Sequence, residues 1–260
     1  MTSANWPADP ARHAASMNDT QQQRSALVFG ARNLGRAVVE GLRDDGWSVA
    51  AVARSETTLA TARAAGAMAM QGDVTDPESI REALSKTTEA HGGVDLVVNA
   101  ASAYGGTRSG PFGGGPLAEA APTAFDDWAA APGRAAFTFL SAAARFAVEQ
   151  ARPATLIQVT GGSARRAMPG RGLWAAGAFA VRAITQAAAL ELRAQGTHVA
   201  LLIVDAGIEP FEGGGREGVE RAALADPREI ADAVAFLANQ GARAATHELQ
   251  VTPLAERWVP

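Results

Sequence analysis

The chain of 260 residues has no cysteine, one tyrosine (Tyr104), and one lysine (Lys86) among its 23 basic residues. The missing cysteine excludes a disulfide framework, a thiolate zinc site and a cysteine nucleophile, and it suits a cytoplasmic location. Any mechanism that needs a tyrosine beside a lysine has only these two candidates. Charge of one sign is also scarce: 23 basic against 27 acidic residues leave a formal −4, which offers no broad footprint for nucleic acid or an anionic membrane. No such partner is expected. Arg182 and Glu191 break the alanine-rich run over residues 175–192, so the sequence predicts no membrane span. The histidines, His13, His91, His198 and His247, are dispersed and no carboxylate pair has ligand spacing. No metal site is expected.

What is present is 47% hydrophobic residues and 27 glycines, enough for a sizeable core in one domain over residues 25–260. Residues 1–24 hold Asp9, Asp19 and Gln21 to Gln23 without an apolar run, so they read as a disordered tail. From Ser25 the pattern alternates. An apolar run over residues 25–29 ends at Gly30 and is followed by helical spacing through Leu34, Val38, Val39 and Leu42. Residues 47–53 and 67–71 read as strands around a helix over 55–65, and Asp76-Pro77 and Asp226-Pro227 each mark a capped helix start. Residues 94–98, 156–159, 199–204 and 248–252 complete seven strands. Their continuous apolar character fits a parallel sheet covered on both faces. The expectation is a Rossmann-like, doubly wound three-layer α/β/α sandwich on a seven-stranded parallel sheet, with ligands at the carboxyl edge of the strands. Two glycine-rich stretches, 104–116 and 207–218, fall at that edge.

Residues 30–35, Gly30-Ala31-Arg32-Asn33-Leu34-Gly35, lie between the first strand and helix, where backbone amides and a helix terminus stabilise a pyrophosphate. Here the chain resembles the short-chain dehydrogenase/reductase family over about residues 25–252. Phe29 replaces the threonine of the family's TGxxxGxG pattern, the middle glycine is absent, and the loop is one residue shorter. Asp73-Val74 matches the pair beside the adenine, and Asn99-Ala100-Ala101 matches the NAG-like element. The resemblance therefore implies a dinucleotide site formed by Gly30, Arg32, Asn33, Leu34, Gly35, Arg54, Asp73, Val74, Asn99, Ala100 and Gly207. Arg54 follows the second strand where an acidic residue would accept hydrogen bonds from a free ribose 2′-hydroxyl. With Arg32 it favours a 2′-phosphate, hence NADP(H) over NAD(H), the alternative being two solvated arginines.

The family's serine and Tyr-x-x-x-Lys positions fall on Gly161, Trp174 and Ala178, and the spacing for its asparagine points to Ala135. An indole does not titrate usefully, alanine neither lowers a pKa nor holds a ribose, and glycine has no hydroxyl. The inherited proton route is lost. Trp174 either lines the old substrate pocket or packs as core, while Ser163 and Asp205 are candidate pocket residues that also suit turn hydrogen bonding. Tyr104 is the one candidate substitute acid, although its ordinary pKa needs a nearby cation such as Arg108, Arg165 or Arg166. The resemblance thus implies an oxidoreductase homologue without standard dehydrogenase activity, a pseudoenzyme that retains NADP(H) binding. The alternative is an active NADP(H)-dependent reductase that takes its proton from Tyr104 or water. Helix faces over 125–150 and 174–194 suit self-association as a dimer or tetramer, with a small molecule as the other expected partner.

Overall fold

The computed structural model describes residues 23–102, 110–150 and 152–256. Tyr104 and Arg108 lie outside the described residues, as does most of the expected N-terminal tail. The last two tail positions are held: Gln23 donates to the Gly46 carbonyl, and Arg24 stacks on Trp47 at 3.7 Å while donating to Asn239 Oδ1.

The elements run β1 (Ser25–Phe29), α1 (Leu34–Asp44), β2 (Ser48–Ala53), α2 (Glu56–Ala64), β3 (Met68–Gln71), α3 (Pro77–His91) and β4 (Leu96–Asn99). The second half runs α4 (Ala131–Glu149), β5 (Thr155–Gly161), α5 (Gly172–Glu191), β6 (His198–Val204), β7 (Gly207–Ile208), β8 (Leu224–Ala225), α6 (Pro227–Ala238) and β9 (Glu248–Val251). Seven strands form one parallel sheet in the order β3-β2-β1-β4-β5-β6-β9, the expected architecture. β7 and β8 form a separate parallel pair that the sequence did not suggest.

Local chemistry explains the helix starts. The Ser55 hydroxyl accepts from the Thr58 amide, the Asp76 carboxylate from the Glu78 and Ser79 amides, and Asp226 from the Arg228 amide. Both faces of the sheet are covered, which is why β1 is buried along its whole length. On one face Val38, Leu42, Val234 and Leu237 pack from α1 and α6; on the other Ile80, Leu84, Phe139 and Leu140 pack from α3 and α4. α5 is long and apolar enough to cross a membrane by length and composition, but it packs against α4 and β6.

Pro132-Gly133 reads as a break in the sequence, yet the helix continues through it. A π-turn over Asp126–Ala130 precedes α4, and the Ala131 amide donates five residues back to the Asp126 carbonyl. Proline lacks an amide hydrogen and crowds the carbonyl four residues before it, so the wider turn relieves both problems.

Candidate functional site

The strand order reverses between β1 and β4, leaving a crevice at their carboxyl ends. Gly30 opens the crevice-side loop with φ +89°, and its amide donates to the Val52 carbonyl at 2.9 Å. A Cβ there would lie 2.6 Å from the Ala101 backbone, and one at Gly35 would collide with the Gly30 carbonyl. Only glycine permits this close approach. Ala100 N donates to the Phe29 carbonyl, and the Asn99 side chain spans the next gap: its Nδ2 donates to Gln158 Oε1 at 2.9 Å and its Oδ1 accepts from Ala101 N. β1, β4 and β5 are thereby tied together under the crevice.

On the β2 side the register pairs Phe29 with Val52, so the glycine loop and the end of β2 leave the sheet as neighbours. Arg32 is exposed, and the Arg54 side chain is 77% exposed with Asp73 Oδ2 at 3.8 Å. Asp73 is mainly occupied with its own turn, accepting from the amide and hydroxyl of Thr75. Val74 is buried beneath it. Arg54 is therefore a lightly held cation beside the glycine loop.

Asn33 and Leu34 begin α1. The Asn33 side chain makes no cap on the helix; its Nδ2 donates instead to the Glu209 carbonyl at 3.0 Å, on the segment that follows β7. Gly207 is covered: a Cβ there would meet Leu224 at 3.1 Å and the Arg216 guanidinium at 3.3 Å.

At the other end of the crevice, Gly161 ends β5, and Trp174 occupies the first turn of α5. A Cβ on Gly161 would stand 3.8 Å from the indole. Trp174 forms one cluster with Trp128 of the π-turn and Phe112, with ring centroids 5.8 Å and 5.1 Å from its own, and Phe112 and Trp128 are 5.0 Å apart. Arg171 stacks on Phe112 at 5.4 Å. Trp128 is buried and Trp174 half-buried, so the two readings of Trp174 merge: it packs, and it packs at the mouth of the crevice. Ala178 and Ala135 are buried and carry no polar group. Phe112 and Trp128 were missed as site residues in the sequence; aromatic residues bordering a glycine-rich run and a proline-interrupted helix were the available signal.

Ser163 sits half-buried in the turn Gly162–Ala164 after β5. Asp205, for which a ligand-facing carboxylate and a cap on the loop after the sixth strand were equally open, makes contacts with protein groups that fit the second. It lies so close to Gly162 that a Cβ there would collide with it, Gln250 Nε2 donates to it at 3.3 Å, and Arg166 pairs with it at 3.4 Å. Burial pushes its carboxyl above the usual range against the pull of Arg166, with Glu256 adding to the rise. Glu248 behaves oppositely. Burial disfavours its charge, but hydrogen bonds from Arg182 and Gln186 and the charges of Arg182 and Arg165 outweigh that and hold its carboxyl below the usual range. Its bond to Arg182 is bidentate, at 2.7 and 2.8 Å. Lys86 is remote from this edge, paired with Glu82 on α3 at 2.6 Å. Among the described residues no cluster of three or more His, Asp or Glu is placed to hold a metal.

A family model described as enoyl-(acyl carrier protein) reductase matches residues 28–251. Comparison with curated proteins found no match. Among solved structures, an alcohol dehydrogenase from the archaeon Thermococcus sibiricus, complexed with 5-hydroxy-NADP, is similar with TM-score 0.72 and 23% identity, covering 92% of this chain and 100% of that one. A metagenomic short-chain oxidoreductase in complex with NADP has TM-score 0.67 and 24% identity over 90% of this chain and 98% of that one. A short-chain type dehydrogenase/reductase from Mycobacterium ulcerans has TM-score 0.74 and 22% identity over 88% of each chain. These likenesses concern the fold. The match over residues 28–251 carries the further step: the chain belongs to the short-chain dehydrogenase/reductase family of Rossmann-fold oxidoreductases.

Proposed function

We propose that the protein binds NADP(H) at its glycine-loop edge and has lost the tyrosine-assisted proton transfer of its family. The observation that carries this reading is the indole of Trp174 over Gly161, with buried Ala178 one turn further along α5. No group at these three positions exchanges a proton near neutral pH. The cofactor half of the proposal rests on the close-approach glycines, Gly30 and Gly35, and on the exposed guanidinia of Arg32 and Arg54 beside them. Gly30, Asn33, Leu34 and Gly35 would hold the pyrophosphate, with Asp73 and Val74 beside the adenine and Asn99, Ala100 and Gly207 along the floor. Arg54 and Arg32 would select the 2′-phosphate through their planar donor forks. Two of the similar structures carry NADP or 5-hydroxy-NADP, which agrees with the cofactor class.

A second reading, an active NADP(H)-dependent reductase, is favoured by the family match, because the matching model is described as a reductase. Bound nicotinamide supplies a hydride. An activated alkene would ask less of this chain than a carbonyl, because the proton could come from water and not from a residue. Tyr104 is the other candidate donor. Titration with NADPH and NADH, followed by NADPH oxidation across carbonyl and activated-alkene panels, separates the readings. Binding without turnover is expected; carbonyl turnover by the unaltered chain would overturn the loss of the proton route.

Self-association belongs to the same proposal. Ala176, Phe179, Ala183, Ala187 and Leu190 form an exposed apolar stripe on α5, and Phe137 and Val148 are exposed on α4. A second copy of the chain would bury both faces as a dimer or tetramer, and only monomer by light scattering would contradict this.

A further inference from the structure

The segment after β7 is fastened to the start of α1 by three contacts and braced by two more from Arg228 and Arg221. The Asn33 side-chain Nδ2 donates to the Glu209 carbonyl at 3.0 Å. Phe211, 7% exposed, carries the Arg36 guanidinium on its ring at 4.1 Å and that of Arg228, from α6, at 4.0 Å. Arg36 also pairs with Glu212, whose side chain is 78% exposed. Glu209 is 5% exposed, and its carboxylate is met by Arg221 at 2.9 Å. Residues 209–212 thus place a carbonyl and the Glu212 carboxylate beside a helix start that has no acidic residue in its own first turn. Negative groups are stabilised at such an end, and a dinucleotide's phosphates seek the same place.

We infer that residues 209–212 are a built-in competitor of the dinucleotide: an acidic strap, fastened by Phe211, Glu212 and Asn33, that must shift before the phosphates can settle at the start of α1. This inference rests on the proposed nucleotide site and names its regulation. The Glu212 carboxylate repels a pyrophosphate at this helix start, and the donor of Asn33 is engaged by the strap. The apparent affinity is then the intrinsic one reduced by the fraction of molecules with the strap displaced. The sign of the effect separates this arrangement from a supporting lid. Loosening a competitor tightens nucleotide binding; loosening a lid weakens it.

The test uses the full chain with Glu212→Gln, a surface change that leaves the core untouched, and with Phe211→Ala, which removes the stacking anchor. NADPH binding is followed by fluorescence titration, and hydrogen exchange of residues 209–223 is measured in the nucleotide-free proteins. Glu212→Gln is expected to tighten NADPH about two- to five-fold, the scale of an exposed ion pair, and Phe211→Ala about tenfold, because both cation–π contacts go. Both variants are expected to exchange faster over 209–223, and NADPH is expected to speed exchange there in the unaltered chain. Weaker or unchanged NADPH binding by both variants would overturn the competitor and leave the nucleotide site standing. Failure of all three proteins to bind NADPH would overturn the site and the competitor together.

Discussion

Replacing Arg54 by glutamine tests the cofactor choice at its most exposed point. The Arg54 side chain is 77% exposed and has Asp73 Oδ2 at 3.8 Å. Two unit charges at that separation interact by about 1 kcal/mol in water, and salt screens them further. Little is therefore lost when Arg54 turns to a better acceptor. A ribose 2′-phosphate offers nearly two negative charges and three oxygens to a planar fork, and hydrogen bonds to charged groups contribute about 1.5–3 kcal/mol. Discounted for exposure, the net loss in Arg54→Gln is about 1–2 kcal/mol, or roughly 5- to 30-fold in the NADPH dissociation constant. NADH, which lacks the phosphate, should change less than about twofold on the same arithmetic. Calorimetric titration with both nucleotides at low and moderate salt reads both quantities, and the gap between them should narrow as salt rises. Thermal unfolding should be nearly unchanged, since an exposed pair contributes about 0–1 kcal/mol. Equal losses for NADPH and NADH, or no loss for either, would refute the assignment of Arg54 to the 2′-phosphate.

Further outcomes follow from other parts of the structure. In Gly177→Ala the new Cβ would stand 2.5 Å from the Trp128 carbonyl and 3.1 Å from that of Ala129; forcing the π-turn from α5 should cost about 1–3 kcal/mol despite the better helix propensity of alanine, lowering the melting temperature by about 2–10 °C. A raised melting temperature would show that the two segments do not meet at Gly177. Because the folded-state pKa of Glu248 is depressed, its stabilisation is present above the ordinary glutamate value of about 4.3 and fades as pH falls through the lower folded value. Glu248→Gln should therefore destabilise at neutral pH and lose that deficit in strong acid, by denaturant unfolding across pH. Asp205 is raised, so its ionisation disfavours folding as pH climbs from the ordinary aspartate value through the folded one; Asp205→Asn should flatten that slope. Finally, restoring the family set with Gly161→Ser, Trp174→Tyr and Ala178→Lys together should create NADPH-dependent carbonyl reduction that no single change creates. Equal activity in the unaltered chain, by NADPH oxidation, would contradict the lost proton route.

Periodicity and end chemistry were enough to determine the scaffold from the sequence. Asp76-Pro77 and Asp226-Pro227 mark helix starts through contacts two or three residues away, and the apolar runs of β1 and β4 announce a sheet buried on both faces. That Gly161, Trp174 and Ala178 carry no hydroxyl, phenol or ammonium is read from residue type, and that they stand at the family's catalytic positions is what the resemblance implies. Elements whose cause is local were placed to within a few residues.

What surrounds those positions was decided only by the tertiary structure. Phe112, Trp128 and Trp174 are far apart in the chain, and nothing in their spacing says that three rings close on one another beside Gly161. Asp205 suited either a ligand or its own loop, and only the close pass by Gly162 and the reach of Gln250 and Arg166 show which protein groups it meets. Asn33 read as part of a phosphate loop, yet its donor goes to Glu209, which lies 176 residues away. Backbone conformation answers to neighbours within a turn or two, whereas the direction and partner of a long polar or aromatic side chain depend on whatever the crossover connections bring beside it. The single tyrosine and the single lysine carried the sequence's argument for the proposed loss of one proton route, while the rings that stand beside Gly161 became visible only in the folded chain.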